Sequence, residues 1–355
     1  MHLQHENPLG TDGFEFVEFT SPDPDALGSL FESLGFTAVA RHRSKRVVRY
    51  RQGDINFILN GERSGHAARF AGLHGPSANA MAFRVRDAAA ALEQAVARGA
   101  TPVAPRVGPM ELNIPAIEGI GGSLLYLVDR YGARSIYDVD FEPLEGATEV
   151  ADVGLLHIDH LTHNLFRGRM DHWRDFYERI FGFREVRFFD IEGKQTGLLS
   201  RAMASPCGKI RIPLNESADD RSQIEEFLTD YGGEGIQHVA LSSGDIHGSV
   251  ERLRARGVTF QDTPDSYYEG VDARLPGHGL DLSRLRADRV LVDGSGPRDM
   301  LLQIFTHNAI GPIFLELIER RGNEGFGEGN FQALFESIEL DQIRRGVLPA
   351  QDETG

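Results

Sequence analysis

The stretch His157–Asn164, HIDHLTHN, sets three histidines and an aspartate among Ile158, Leu161 and Thr162. Such alternation marks a strand with one face turned into a core or pocket. On that reading Ile158, His160, Thr162 and Asn164 share a face, and His157, Asp159 and His163 share the other. Two later stretches offer partners: GIQHVAL carries His238, and IFLELIER carries Glu316 between Ile313, Phe314, Leu315, Leu317 and Ile318. A carboxylate unpaired in such surroundings is costly, and a nearby cation offsets the cost. Two imidazoles and one carboxylate from three strands would hold iron(II) and leave about half of its octahedron open. His160, His238 and Glu316 lie too far apart in sequence for a local metal finger, so the fold must assemble them. By parity Glu319 faces away, toward solvent. His157 and His163 fall off the His160 face, in supporting or surface positions, and Asp159 points away from the metal by the same rule.

The elements that must position these residues follow from periodicity and punctuation. Residues 13–21, GFEFVEFTS, read as a strand, followed by a helix over SPDPDALGSLFESLGF that stops at Gly35. VVRYRQGDINFILNG reads as two strands about a turn at Gly53 and Asp54. ANAMAFRVRD is a strand, AAAALEQAVARGA a helix closed by Gly99, and SLLYLVDRYG a strand; residues 102–120 are loop with short strands. The second half repeats this order. IDHLTHNL, REVRFFDIEG, GKIRIPLNE, GIQHVALSSGD, DMLLQIFT and IFLELIER are its strands, and MDHWRDFYERIFGF and IHGSVERLRARGV its helices.

The repeat aligns residue by residue. FEFVEFT over IDHLTHN sets Phe16 against His160. NAMAFRVRD over QHVALSSGD sets Ala80 against His238 and Asp87 against Asp245, and SLLYLVDR over IFLELIER sets Tyr126 against Glu316. The first half therefore lacks the metal ligands at the positions where the second half offers them. We expect an α+β chain of two tandem domains, residues 1–150 metal-free and 151–355 metal-binding, with the boundary in EPLEGATEVADVG. Each domain pairs two βαβββ modules into an open barrel of curved sheet with helices outside.

Composition narrows the class. The 355 residues are 41% hydrophobic and carry a net charge of −16, which disfavours nucleic acid or an anionic membrane surface as partner. Cys207 is the only cysteine, no apolar run of membrane-spanning length occurs, and MHLQHENPLG lacks signal-peptide character; these features point to the cytoplasm.

The stretches RHRSKRVVRYRQGDINFILN, GPMELNIPAIEGIGG, IDHLTHNLFRGRM, RIPLNES, EGIQHVAL, LLQIF and GFGEGNFQALFESIELDQIRRGVL, spread over nearly the whole chain, resemble the 4-hydroxyphenylpyruvate dioxygenase family of the vicinal-oxygen-chelate superfamily. The resemblance implies a glyoxalase/bleomycin-resistance/dioxygenase-like fold and one Fe(II) per chain on His160, His238 and Glu316. It further implies substrate contacts at Ser200, Asn215, Gln223, Gln303, Phe305, Phe314, Phe326, Asn330 and Phe331. Gln237 also matches the family's pocket, although strand parity points it away from the metal. The implied reaction turns 4-hydroxyphenylpyruvate and O2 into homogentisate and CO2, a step of tyrosine catabolism, with no separate 2-oxoglutarate and with assembly as a homodimer or homotetramer. Phe331, Leu334, Phe335 and Ile338 give the tail an amphipathic helix, either docked on the core or closing over the site as a lid. Two other readings stay open: 4-hydroxymandelate synthase on the same substrate, and a non-catalytic small-molecule-binding protein of the same fold.

Overall fold

The computed structural model describes residues 6–104, 107–108, 110–146, 152–192, 197–327, 329–330, 342–343 and 346. The tail positions Phe331, Leu334, Phe335 and Ile338 lie outside the described residues.

The first sheet holds nine strands: β1 (Thr11–Thr20), β2 (Thr37–His42), β3 (Val47–Gln52), β4 (Ile55–Asn60), β5 (Ser77–Val85), β6 (Pro102–Val103), β7 (Ala116–Glu118), β8 (Leu124–Val128) and β9 (Phe141–Pro143). The second holds eight: β10 (Leu155–Leu165), β11 (Arg184–Glu192), β12 (Gly197–Ala204), β13 (Arg211–Ser217), β14 (Gly235–Ser243), β15 (Leu291–Gly296), β16 (Asp299–Phe305) and β17 (Phe314–Arg321). The first runs β6-β7-β8-β5-β1-β4-β3-β2-β9 and the second β15-β16-β17-β14-β10-β13-β12-β11, the same topology apart from the added β9. Each contains two βαβββ modules, joined where β1 pairs antiparallel with β5 and β10 with β14. Strands that pair in this way curl into a half-barrel, with the crossover helices on its outer face.

The repeat extends to the helix ends. Asp87 and Asp245 cap equivalent helices, Ala88–Ala97 and Ile246–Ala255, by accepting from Ala90 N and Gly248 N. A carboxylate there satisfies an otherwise unpaired N–H. Helices Gly65–His74 and Gln223–Tyr231, which link the paired modules, were not among the expected elements, although Ile224, Phe227, Leu228 and Tyr231 carry helical spacing in the second. His74 stacks on Tyr231 at 4.5 Å and its Nδ1 lies 2.7 Å from the Tyr231 carbonyl, so the two linking helices meet across the two halves.

Gln52 ties the sheets together from inside the core. Its Oε1 accepts from Val153 N at 3.1 Å and Leu155 N at 3.2 Å, and its Nε2 donates to the Gly35 carbonyl at 3.0 Å. Nearby, Asp54 N donates to the Leu156 carbonyl. A Gln52→Ala variant strands several buried backbone groups at once and should lose about 3 kcal/mol of stability. Urea unfolding followed by circular dichroism measures this, and a loss within error of zero removes Gln52 from the role.

Candidate metal centre

The three ligands come together because of strand register. β10 and β14 place His160 opposite Ala240 and Thr162 opposite His238; β14 and β17 place Ala240 beside Glu316 and His238 beside Phe314. His160, Ala240 and Glu316 thus form one row across three strands, and His238 stands in the adjacent row on the central strand. The alanine between them leaves the space. His160 Nε2 lies 3.1 Å from Glu316 Oε2 and 3.3 Å from His238 Nε2, and His238 Nε2 lies 3.4 Å from Glu316 Oε2. All three side chains are buried. Ligands about 2.1 Å from one ion stand roughly 3.0 to 3.4 Å apart in octahedral-facial to tetrahedral arrangements. Three donor atoms at these separations, on one face of a sheet, fit a single divalent ion.

The electrostatics agree. Burial alone would raise the Glu316 carboxyl, but His160 and then His238 outweigh it and hold Glu316 down at about 2. Burial also opposes charge on His160, yet Glu316 and Asp159 raise it to about 9. Burial lowers His238, against the pull of Glu316. The carboxylate therefore stays ionised in the core only by drawing positive charge to itself.

Both imidazoles are aimed by the residue that precedes them. Asp159 Oδ1 lies 2.9 Å from His160 Nδ1, and Gln237 Oε1 lies 3.0 Å from His238 Nδ1. Each contact places the ring hydrogen on Nδ1 and turns Nε2 toward the site, as ligating histidines require. Parity sends both Asp159 and Gln237 to the opposite face, and the structure overturns that expectation. The register between β10 and β14 slips between Ile158 and His160 and again between Thr162 and His163. The first slip makes Asp159 the extra residue on β10, and the second makes Gln237 the extra residue on β14. A bulge places two residues opposite one and re-aims their side chains. Asp159 in turn is gripped by Arg320, with Nε at 2.7 Å from Oδ2 and Nη2 at 2.8 Å from Oδ1. Despite burial, Arg320 and His160 keep Asp159 well below the usual carboxylate range.

Glu316 has its own support. Gln303 Nε2 donates to Glu316 Oε1 at 2.7 Å, Asn330 Nδ2 donates to Gln303 Oε1 at 2.8 Å, and Tyr267 Oη donates to Asn330 Oδ1 at 2.8 Å. This chain occupies one oxygen of Glu316 and leaves Oε2 facing the histidines. Gln303 and Asn330, expected as substrate contacts, hold Glu316 and each other through their amides. Gly327 closes the arrangement at a φ of 73°, where a Cβ would collide with Gln303 Oε1.

The remaining expected residues divide. Ser200, Gln303, Phe305 and Phe326 line a cavity of about 30 Å³ beside the three ligands, together with Thr162, Phe189 and Pro213. Phe314 stacks on the His238 ring at 4.8 Å, and Phe326 meets the His160 ring edge-on at 5.9 Å. Ser200, Asn215 and Asn164 form one row across β12, β13 and β10. Asn215 Oδ1 and both amide atoms of Asn164 are buried without a partner among the described residues, as groups reserved for a ligand or water would be. Gln223 is half-buried in the first turn of helix Gln223–Tyr231 and is not among the cavity's lining residues. Phe331 lies outside the described residues. Glu319 does face away from the metal but is buried rather than solvated: it accepts from Ile246 N at 2.9 Å, at the start of a helix. His163 is buried against Tyr177 Oη at 2.7 Å, and His157 is exposed. Sequence reasoning missed Tyr267, Arg320 and Thr162. The only local sign of any of them was the position of Thr162 on the His160 face.

Residues 157–272 match the family model described as Glyoxalase/Bleomycin resistance protein/Dioxygenase superfamily, the class that this sheet topology and ligand placement define. Residues 5–142 match the model described as Hydroxyphenylpyruvate dioxygenase, HPPD, N-terminal. The chain is 62% identical over 351 residues to the 4-hydroxyphenylpyruvate dioxygenase of Pseudomonas aeruginosa, covering 98% of both chains. It is also 62% identical over 349 residues to a Vibrio vulnificus protein named hemolysin VllY, covering 96% of this chain and 98% of that one. A solved mutant of 4-hydroxymandelate synthase from Streptomyces coelicolor superposes with a TM-score of 0.82 at 28% identity, over 94% of this chain and 99% of that one. The chain belongs to the 4-hydroxyphenylpyruvate dioxygenase family.

An Asp159→Asn variant keeps the shape beside His160 but weakens both the ring contact and the Arg320 pair. Its affinity for a divalent metal ion should fall about 10- to 100-fold, as loss of an orienting partner does. Competition against a metal chelator measures the change, and an affinity equal to wild type would remove Asp159 from the site's support.

Proposed function

We propose that the chain is an Fe(II)-dependent dioxygenase that converts 4-hydroxyphenylpyruvate and O2 to homogentisate and CO2, with residues 1–150 as a metal-free domain and 151–355 as the catalytic one. The observation that carries the reading is the triangle of His160 Nε2, His238 Nε2 and Glu316 Oε2, with sides of 3.1 to 3.4 Å, in a chain 62% identical to a named 4-hydroxyphenylpyruvate dioxygenase. Iron(II) held there would supply the redox chemistry that couples loss of CO2 from the oxoacid to oxidation of the ring.

The protein's part is binding, orientation and exclusion of water. Phe305, Phe314 and Phe326 present aromatic faces around the ligands, suited to a phenol ring. Ser200, Asn215 and Asn164 offer uncharged donors and acceptors on the same face, which orient a phenol hydroxyl without trapping a charge. Asp159 and Gln237 keep Nε2 of each histidine inward. Gln303 holds the Glu316 carboxylate, so that one oxygen cannot swing toward the substrate. The cavity of about 30 Å³ lies directly against the three ligands, with Phe305 and Phe326 in its wall.

The 4-hydroxymandelate synthase reading keeps the same metal and substrate but attacks the side chain. It is supported at 28% identity, against 62% for the dioxygenase. Among the described residues, no helix is long and apolar enough to cross a membrane. The family resemblance supports a cytoplasmic homodimer or homotetramer.

Anaerobic addition of 4-hydroxyphenylpyruvate to the ferrous protein should give a visible charge-transfer band, and admitting air should yield homogentisate on chromatography. Hydroxymandelate as product would select the rival enzyme; no product at all would leave a binding protein. His238→Ala should lose bound iron and turnover together while keeping the far-ultraviolet circular dichroism of the folded chain.

A further inference from the structure

The first half-barrel contains a cavity of about 380 Å³, and it sits where the metal centre sits in the second. The correspondence is one of register. Phe16, Ala82 and Tyr126 form a row across β1, β5 and β8, as His160, Ala240 and Glu316 do across β10, β14 and β17. Both bulges are repeated as well: β1 slips against β5 between Phe14 and Phe16 and between Glu18 and Phe19. The backbone that aims side chains inward is thus kept, while the metal ligands are replaced.

What replaces them is an acid on an aromatic floor. Phe16 and Tyr126 pack with ring centroids 5.7 Å apart. In the next row Glu18 is more than nine-tenths buried and lines the cavity. Its Oε1 accepts from Asn79 Nδ2 at 2.6 Å and from Asn60 Nδ2 at 3.0 Å. Among the described residues no hydrogen bond reaches Oε2. Burial lifts the Glu18 carboxyl above its ordinary range, and the two amides offset this only in part. Of the basic groups on the lining, His66 and Lys45 act on Glu18 only through space, and Lys45 is paired with Glu111 at 2.7 Å. The two amides satisfy one oxygen and leave the other facing open space, where an occupant that brings positive charge would stabilise it. The volume falls in the range of about 300 to 1,000 Å³ usual for small-molecule pockets.

We propose that this cavity is a second small-molecule site, which takes an aromatic body carrying a protonated amine, the amine on Glu18 and the ring against Phe16 and Tyr126. The site is separate from the metal centre and does not depend on the reaction assigned to it.

Three probes of equal shape and different charge test the assignment on the full-length chain: 4-fluorophenethylamine, 2-(4-fluorophenyl)ethanol and 4-fluorophenylacetate, followed by fluorine NMR. The amine should bind saturably, one per chain, and at least tenfold more tightly than the alcohol or the acid. Glu18→Gln should weaken the amine at least tenfold, and His238→Ala should leave its binding unchanged. Leu112→Trp, which fills the cavity from its part-buried edge, should abolish binding and carries the test if the Glu18 variant does not fold. Absence of saturable amine binding overturns the proposal. So does equal binding of the alcohol, or loss of binding in the His238 variant.

Discussion

A carboxylate in the interior of a sheet must be neutralised, and the second half of this protein is built around that requirement. Glu316 is 1% exposed and lies in the hydrophobic run of β17. One of its oxygens is satisfied by a chain of neutral donors running from Tyr267 through Asn330 and Gln303. The other faces two imidazoles and draws charge onto His160. Neutral hydrogen bonds cannot discharge an anion, so the second oxygen is a demand for a cation. A proton on His160 answers it at one ring only; a divalent ion is held by all three donor atoms at once.

The geometry that serves this demand is carried by backbone irregularity rather than by regular strand alternation. Two bulges in the β10–β14 pairing turn Asp159 and Gln237 toward the rings that follow them. Each histidine is thereby fixed by a covalent neighbour, and a support so close in sequence needs no distant element to drift into place. Arg320 then locks Asp159 from the next strand but one, which couples the ligand on β10 to the strand that carries Glu316. The first half keeps the same two slips between β1 and β5. There Glu15, the counterpart of Asp159, pairs with Arg84 at 2.6 Å, and Asn79, the counterpart of Gln237, binds Glu18. Duplication preserved the device while its load changed.

Several expectations failed for one shared reason. Parity assumed an unbroken strand, and so sent Asp159 and Gln237 outward. Glu319 was expected in solvent because a carboxylate on the outer face of a strand usually reaches water. The helix starting at Ile246 covers it instead and uses it as an acceptor. In each case the residue type was legible and its partner was not.

The sequence alone showed the duplication, most of the strands, the helices that follow β1, β5, β10 and β14, and the three positions that converge, with Phe16, Ala80 and Tyr126 opposite them in the first half. These follow from period, punctuation and residue-by-residue alignment, which are local properties of the chain. Tertiary structure alone decided how the ligands are held: the two bulges, the Arg320 clamp, the relay from Tyr267, and the opening of a cavity beside Glu18 where the first half has no metal ligands. Such features depend on which strand lies beside which and on slips of a single residue in their pairing. A one-residue slip leaves no mark in hydrophobic periodicity, yet it decides which way a side chain points.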